Sequence, residues 1–597
     1  ANSTVFVIAA GNDGSTQTEN IEWKKNLDTG LIVVGAVDAL GNISRISNKP
    51  GTACFASKGK CSEGSYLKDI FLVAPGELIL MSDGHGGTVR RSGTSFAAPL
   101  VSGAITLLHD RWPWLAKEPE ATVKIILNTA RDLGEPGVDE VYGHGLLDVE
   151  ASQSPLVFDS LEIYEHKGGE KSKKLAADLK NAGAGDTWNT EGIFLTLFEN
   201  VGKTHRDFAV PFSDSLIGQK TSANGSPEYF QSYITKRFKK WAKSPGKKGG
   251  SKSNGFTDVA NYENPNSDGW SFGFSMSSPT GFTTNGGQSG EVPHSAFKFR
   301  NVDSGMSFHA GYGQGAIALL DQDSFGLTSD YNANNGGLNP VLGLASGGGF
   351  MDAEFKIAKS TKIAFGITNR SLNHADNFEL TQAERTRLRG ADDYRASAFN
   401  FRLSHQPTAS TNVSISFAML DEKDGLLGVQ SAIDSDLKHG SSSKTATISG
   451  SINLPHSFTL GASATIGMTD SKDGQNQNLR TRGSIMSSAF AISMGKQGVI
   501  GKNDLVRFSV SQPLHVESGV LEYSSVEVIN RQTGEIGSVT RSFGIGDDGR
   551  RFNAEFIYAT TVMQGGELSF FGRAEYDSSV RGDVNQIIAG GMLSLSF

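Results

Sequence analysis

Two hydrophobic periodicities divide this chain. From about Trp270 onward apolar residues recur at every second position: Phe272, Phe274 and Met276 alternate with Ser271, Gly273 and Ser275, and the pattern returns over residues 350–357, 363–367, 396–403, 413–419 and 448–454. A period of two with small or polar partners predicts strands with one apolar and one polar face. The segments run over about nine to eleven residues, the length a tilted strand needs to cross a bilayer. The last alternating stretch places Leu593, Leu595 and Phe597 on one face. A soluble β-sandwich would alternate in the same way. No stretch of about eighteen apolar residues exists, so a spanning helix is not predicted.

The first 150 residues read differently. Val7-Ile8-Ala9-Ala10 is an apolar run that ends in Gly11-Asn12, and Asp83-Gly84-His85-Gly86-Gly87 reads as a hairpin loop between Ile79-Leu80 and Val89. Gly93-Thr94-Ser95-Phe96-Ala97-Ala98-Pro99 reads as a glycine turn running into a helix. Gly93 permits a backbone conformation closed to other residues, and Pro99 falls within the first turn, where a missing N–H costs little. Ala97, Ala98, Gly103 and Ala104 make the helix slim enough to be buried. Ser95 would then sit exposed at the first turn, where free N–H groups favour developing negative charge. That geometry suits a nucleophile.

The G-T-S-x-A-x-P string, followed by Val101 and Gly103, resembles the nucleophile motif of the subtilisin-like serine proteases. Three more stretches agree and stand in family order: the run ending at Asn12, which matches the oxyanion-hole asparagine; Val73-Ala74-Pro75-Gly76; and Tyr142-Gly143-His144-Gly145-Leu146-Leu147-Asp148. The resemblance implies a parallel α/β sheet with helices on both faces, of which the C-terminal part is present. It implies catalytic roles for Ser95 as nucleophile and Asn12 as oxyanion donor. A preorganised amide N–H stabilises the charge that develops on the carbonyl oxygen in the transition state. Losing one such donor costs about 10²–10³ in turnover, a magnitude taken from subtilisin itself. The family order is Asp, then His, then Ser, so both remaining members are expected upstream of Asn12, and the sequence as given is expected to be catalytically incomplete. His85 lies in the predicted hairpin and lacks the helix that carries the family's histidine, while His109 and His144 read as surface or packing residues.

Composition narrows the function. A net charge of -8 and a pI near 5.9 offer no broad basic surface, which argues against a nucleic-acid partner. Two cysteines leave little room for a structural zinc site, which normally needs four ligands, and no clustered acidic loop demands calcium, so no metal and no cofactor are assigned. Cys54 and Cys61 sit in a glycine- and serine-rich stretch. In an exported protein they read as a short disulfide loop; otherwise they are two free thiols.

Residues 151–267 form a junction. Leu156-Val157-Phe158 and Ile193-Phe194-Leu195-Thr196-Leu197 read as short strands of a β extension. Tyr229, Phe230, Tyr233, Ile234, Phe238 and Trp241 recur at helical spacing beside five lysines and arginines, predicting a basic amphipathic helix. Such a helix could plug a pore, pack on the first domain or lie on anionic lipid. Residues 245–252, Pro-Gly-Lys-Lys-Gly-Gly-Ser-Lys, read as a flexible linker and an accessible cleavage site.

A C-terminal aromatic on an alternating strand resembles the assembly signal of bacterial outer-membrane barrels, and a barrel after an exported passenger resembles an autotransporter. At about 25–28 residues per strand and loop, the C-terminal region holds about 12 antiparallel strands, an even number as such barrels require. The expected organisation is multidomain: the C-terminal part of a subtilisin-like α/β peptidase domain over 1–150, a passenger extension, basic helix and linker over 151–267, and a transmembrane β-barrel over 268–597. The expected activity is that of a serine endopeptidase secreted by its own barrel, held at the cell surface or released. Its expected partners are a protein or peptide substrate, outer-membrane lipid, and the barrel-assembly machinery through Phe597. The competing expectation is a surface adhesin or structural barrel protein with a degenerate protease remnant.

Overall fold

The computed structural model describes residues 4–22, 30–167, 170–175, 192–218, 262–265, 269–277, 294–301, 303–313, 339–372, 393–431, 439–472, 478–501, 504–546, 549–563, 566–577 and 586–595, with a few isolated positions between them. The predicted basic helix, the 245–252 linker and Phe597 lie outside the described residues. The chain forms two compact units. One comprises Ala1–Ala177, Leu195–Val210 and Ser525–Val539; the other comprises Asp178–Phe194, Pro211–Ser524 and Thr540–Phe597.

In the first unit, β1 (Phe6–Ala9), β2 (Leu31–Val37) and β3 (Phe71–Pro75) form a parallel sheet in the order β1-β2-β3. The near-continuous apolar sequences of β2 and β3 suit strands covered on both faces, and Ile32, Val34, Leu72 and Val73 are fully buried. Beyond β3 the Tyr142–Leu147 stretch extends the sheet: the Val73 N–H donates to the Gly145 carbonyl at 2.9 Å and the Leu147 N–H to the Val73 carbonyl at 2.8 Å. The predicted hairpin forms from β4 (Ile79–Ser82) and β5 (Thr88–Arg91) and leads into α1 (Thr94–Arg111).

Three local expectations are corrected in this segment. Gly93 has a φ of 163°, extended backbone open to any residue; the left-handed turn falls at Gly11, with φ 100°. Because α1 begins at Thr94, Pro99 lies past its first turn, where its missing N–H leaves the Ser95 carbonyl without its helical donor. The helix is also buried on one face only: Ala97, Val101, Ala104, Ile105 and Leu108 pack inward, while Leu100 and Leu107 stay 44% and 53% exposed. On the edge strand β1, Phe6 and Ile8 are likewise exposed.

Cys54 and Cys61 form a disulfide with a Cα–Cα separation of 5.8 Å. After α2 (Pro119–Asn128) the β extension follows, with β6 (Glu162–Lys167), β7 (Glu170–Leu175), β8 (Phe194–Val201) and β9 (Thr204–Pro211) in the order β9-β8-β6-β7. β8 takes up the predicted 193–197 strand. Leu156-Val157-Phe158 is not a strand: its chain enters a 3₁₀ turn at Phe158–Ser160, and the Leu156 N–H donates to Glu199 Oε1 instead of to a sheet neighbour.

Glu199 and Arg206 are the polar centre of this extension. Arg206 is fully buried. Its Nε and Nη2 donate to Glu199 Oε2 at 2.8 and 2.5 Å, and its Nη1 and Nη2 donate to the carbonyls of Ser152 and Ser154 at 2.8 and 3.2 Å. Burial lowers the Arg206 pKa and the Glu199 carboxylate opposes that shift.

The second unit is built on one large sheet running from Tyr262–Pro265 to Gln586–Leu595, each strand antiparallel to its neighbours. It has fifteen strands among the described residues, not about twelve. The strands follow one another more closely than 25–28 residues apart, because several turn back within a few residues, as at Ala358/Thr361 and Thr408/Thr411. Tyr394–Thr408 alone is 15 residues long.

The faces of this sheet are inverted relative to a water-soluble protein. Phe417, Ile448, Ile466 and Ile492 are 53–62% exposed. Asn400, Arg402, Thr465, Ser509 and Glu555 are buried. The Arg402 guanidinium meets Glu354 at 2.9 Å, and Arg507 meets Glu555 at 3.3 Å.

Candidate active site

The C-terminal ends of parallel strands, where open α/β sheets place their ligands, here gather the sequence-predicted residues of the first unit. β1 delivers Asn12 through the turn at Gly11. β3 runs into Pro75-Gly76, crosses the hairpin and returns at Gly93, whose N–H donates to the Gly76 carbonyl at 2.8 Å. Gly76 is needed for this approach: a Cβ there would stand 2.7 Å from the Ala36 Cβ and 2.9 Å from the Gly93 carbonyl oxygen. Hairpin closure therefore brings the start of α1 beside the end of β1.

The contact between them is specific. The Thr94 N–H donates to Asn12 Oδ1 at 2.8 Å, and the Thr94 hydroxyl donates to the same oxygen at 3.1 Å. The Gly11 N–H in turn donates to Thr94 Oγ1 at 3.2 Å. Thr94 is fully buried. Two donors on one side of the carboxamide fix its flip, because only the oxygen can accept. The Asn12 Nδ2 is left as the outward donor. Ser95, the next residue, is exposed at the helix N-terminus, and among the described residues neither its N–H nor its hydroxyl carries a hydrogen bond. An unpaired N–H at that position and an oriented amide N–H are the two donors that a carbonyl oxygen gaining charge would require.

Asn48, which sequence reasoning passed over, braces the loop. Its Oδ1 accepts from the N–H groups of Asp13 and Ser15 at 3.1 and 3.0 Å and from the Ser15 hydroxyl at 3.0 Å, and its Nδ2 donates to the Ala10 carbonyl at 3.0 Å. A Cβ on Gly11 would lie 2.5 Å from that Nδ2. The left-handed glycine and the asparagine thus specify one turn together. The only signal in the sequence was an asparagine in the turn-forming run Ser47-Asn48-Lys49-Pro50-Gly51.

The three histidines weighed from the sequence are each bonded to partners other than Ser95. His85 Nδ1 lies 3.1 Å from the Asp83 carbonyl of its own loop. His109 Nε2 lies 3.0 Å from Thr122 Oγ1, and His144 Nε2 lies 3.1 Å from the Asp69 carbonyl. Burial lowers the pKa of both His109 and His144. Among the described residues no group of three His, Cys, Asp or Glu side chains could hold a metal ion.

Residues 1–145 match the subtilase family, peptidase S8. The chain is 32% identical over 197 residues to serotype-specific antigen 1 of Mannheimia haemolytica, covering 31% of this chain and 19% of that protein. It is 28% identical over 169 residues to the neisserial autotransporter lipoprotein NalP of Neisseria meningitidis serogroup B, covering 26% and 14%. Against subtilisin DY of Bacillus licheniformis it is 33% identical over 153 residues, covering 26% and 47%. The chain thus spans less than half the length of each of these curated relatives. Its N-terminal region is a subtilase-family domain joined to a large β-rich C-terminal region.

Proposed function

We propose that this chain forms the nucleophile-bearing part of a serine endopeptidase, carried to the cell surface by a β-barrel made from its own C-terminal region. The observation that carries the peptidase reading is the Thr94 clamp on Asn12, which aims one amide N–H outward beside an unpaired Ser95 at a helix N-terminus. In this reading Ser95 Oγ attacks a peptide carbonyl. Asn12 Nδ2 and the Ser95 N–H receive the oxyanion, the acyl group passes to Ser95, and water releases it. In this reading no described residue is assigned as the base that takes the Ser95 proton or as the carboxylate that orients it.

The inverted sheet supports the membrane part. A lipid-facing apolar surface around a polar interior is the arrangement of outer-membrane barrels, and backbone groups in hydrocarbon must all be paired, which requires the sheet to close. Setting aside the four-residue strand Tyr262–Pro265 leaves an even number of strands, as antiparallel closure of Trp270–Ser277 on Gln586–Leu595 requires. The three-part division at about residues 150 and 267 belongs to this reading, as does recognition of the Phe597 end by assembly machinery. The alternative, an adhesin with a protease remnant, draws on the absence of any described histidine bonded to Ser95.

The two parts are tested separately. A fluorophosphonate probe should label the protein at its full natural length, and Ser95→Ala should abolish labelling; persistent labelling refutes the nucleophile. Deleting residues 592–597 should abolish outer-membrane insertion while Ser95→Ala leaves it intact. Residues 265–597 expressed as a soluble monomer without detergent, with no heat-dependent shift on gels, would refute the barrel.

A further inference from the structure

Each compact unit contains a piece of chain from the far side of the 245–252 stretch. The first unit, mostly residues 1–210, includes Ser525–Val539. Arg531 is its anchor: Nη1 donates to Asp207 Oδ2 at 2.5 Å, Nη2 donates to the Arg111 carbonyl at the end of α1 at 2.7 Å, and the guanidinium lies 5.1 Å from the centre of the Trp114 ring. Gly534, in the left-handed region with φ 71°, lies flat on the same indole, where a Cβ would come within 2.7 Å of the ring. The receiving surface is itself held in place. Trp112 Nε1 donates to Asp207 Oδ1 at 2.9 Å, and Trp114 Nε1 donates to the His205 carbonyl at 2.7 Å.

The converse holds in the second unit. Residues 211–218 come from the N-terminal side, yet Phe212 is fully buried with its ring 5.0 Å from that of Tyr523 and 5.5 Å from that of Phe543. Leu216–Gly218 then pairs antiparallel with Val429–Ser431, with Leu216 and Ile217 buried.

We propose that this reciprocal exchange of segments makes the two halves of the chain a non-covalent pair, so that cutting the backbone in residues 245–252 does not separate them. The N-terminal piece keeps residues 212–218 as a buried aromatic and strand anchor in the second unit; the C-terminal piece keeps Arg531 and Gly534 on the tryptophan surface of the first. A buried aromatic anchor and a multiply bonded arginine are the contact types that dominate association energies, and the two act in series on one covalently linked module, so each raises the effective concentration of the other. A bond cut at the linker yields a nicked complex; release requires both anchors to open. The inference does not depend on either the peptidase or the membrane reading.

The test replaces residues 245–252 with a recognition sequence for a specific endopeptidase in the full chain, purified in detergent at neutral pH. After complete cutting, seen as two bands on a denaturing gel, both pieces should co-elute on size exclusion after 100-fold dilution. Separation of the cut wild-type pieces on dilution would overturn the proposal. Arg531→Ala combined with Phe212→Ala should lower the retained fraction at least tenfold, with hydrogen exchange of the uncut variant confirming that both sheets persist. Unchanged retention in that double variant would refute the assignment of the anchors.

Discussion

Removing Arg206 alone should open the β extension far more readily than removing its charge together with that of Glu199. In Arg206→Met the Glu199 carboxylate, 4% exposed, keeps the Leu156 N–H and loses both guanidinium donors. Breaking a buried pair by deleting one partner costs about 3–5 kcal/mol, because the remaining charge is stranded. The double variant Arg206→Met/Glu199→Gln strands no charge. Its loss is that of the donors to the Ser152 and Ser154 carbonyls, roughly 1 kcal/mol each. The single variant should therefore exceed the double by about 1–3 kcal/mol. Hydrogen exchange of the β8 and β9 amides in the detergent-solubilised full chain measures this directly. A loss of about 3–5 kcal/mol corresponds to roughly 140- to 3700-fold faster exchange, at about 1.4 kcal/mol per decade. Acceleration of less than tenfold in Arg206→Met, or a double variant that exchanges faster than the single one, would refute the reasoning.

Thr94→Val removes the hydroxyl that holds Asn12 Oδ1 and strands the Gly11 N–H, so fluorophosphonate labelling of the full-length protein should slow about tenfold while Thr94→Ser restores it; equal rates in both variants would dismiss the clamp. Because burial lowers the folded-state pKa of His109 and His144 from 6.5, the unfolded chain binds protons first as pH falls. The stability these groups support is complete above about pH 6.5 and declines as pH drops through their lower folded values. The thermal midpoint of the first unit should therefore fall from pH 7 to pH 5, and His144→Gln should flatten the decline; an unchanged slope in that variant removes His144 from the explanation. Cys54 and Cys61 in surface material should resist alkylation until reduced, and a double serine substitution should leave secretion nearly unchanged because the loop is short. Secretion lost with the disulfide would show that the loop does more than constrain local chain.

What the sequence made legible follows from how locally each feature is encoded. Period-two alternation marked the long strands, because the pleat imposes that period residue by residue, and the glycine-rich Asp83–Gly87 loop marked its hairpin. The nucleophile turn was readable as a motif, but its internal logic was misplaced: the left-handed residue is Gly11, and its need arises from Asn48, distant in sequence. Leu156-Val157-Phe158 was apolar enough for a strand, yet the competing acceptor, Glu199, could not be seen from its neighbours. Charged residues such as Glu199 and Arg206 read as solvent-facing until their partners are known. The placement of Ser525–Val539 in the first unit has no local signature at all, since its meaning lies in Asp207 and Trp114.

The inversion of the large sheet carries one more consequence, concerning transit. Placing an apolar residue at every second position makes a face that is continuous in space but never continuous along the backbone. The mean hydropathy of the chain is -0.27, and no helix among the described residues is long and apolar enough to cross a membrane. A window of about 20 residues laid along the described strands thus takes in polar positions as often as apolar ones. The greasy surface comes into being only when neighbouring strands pair. Folding itself is the event that changes the solvent preference of this chain, and where it folds decides which solvent it keeps.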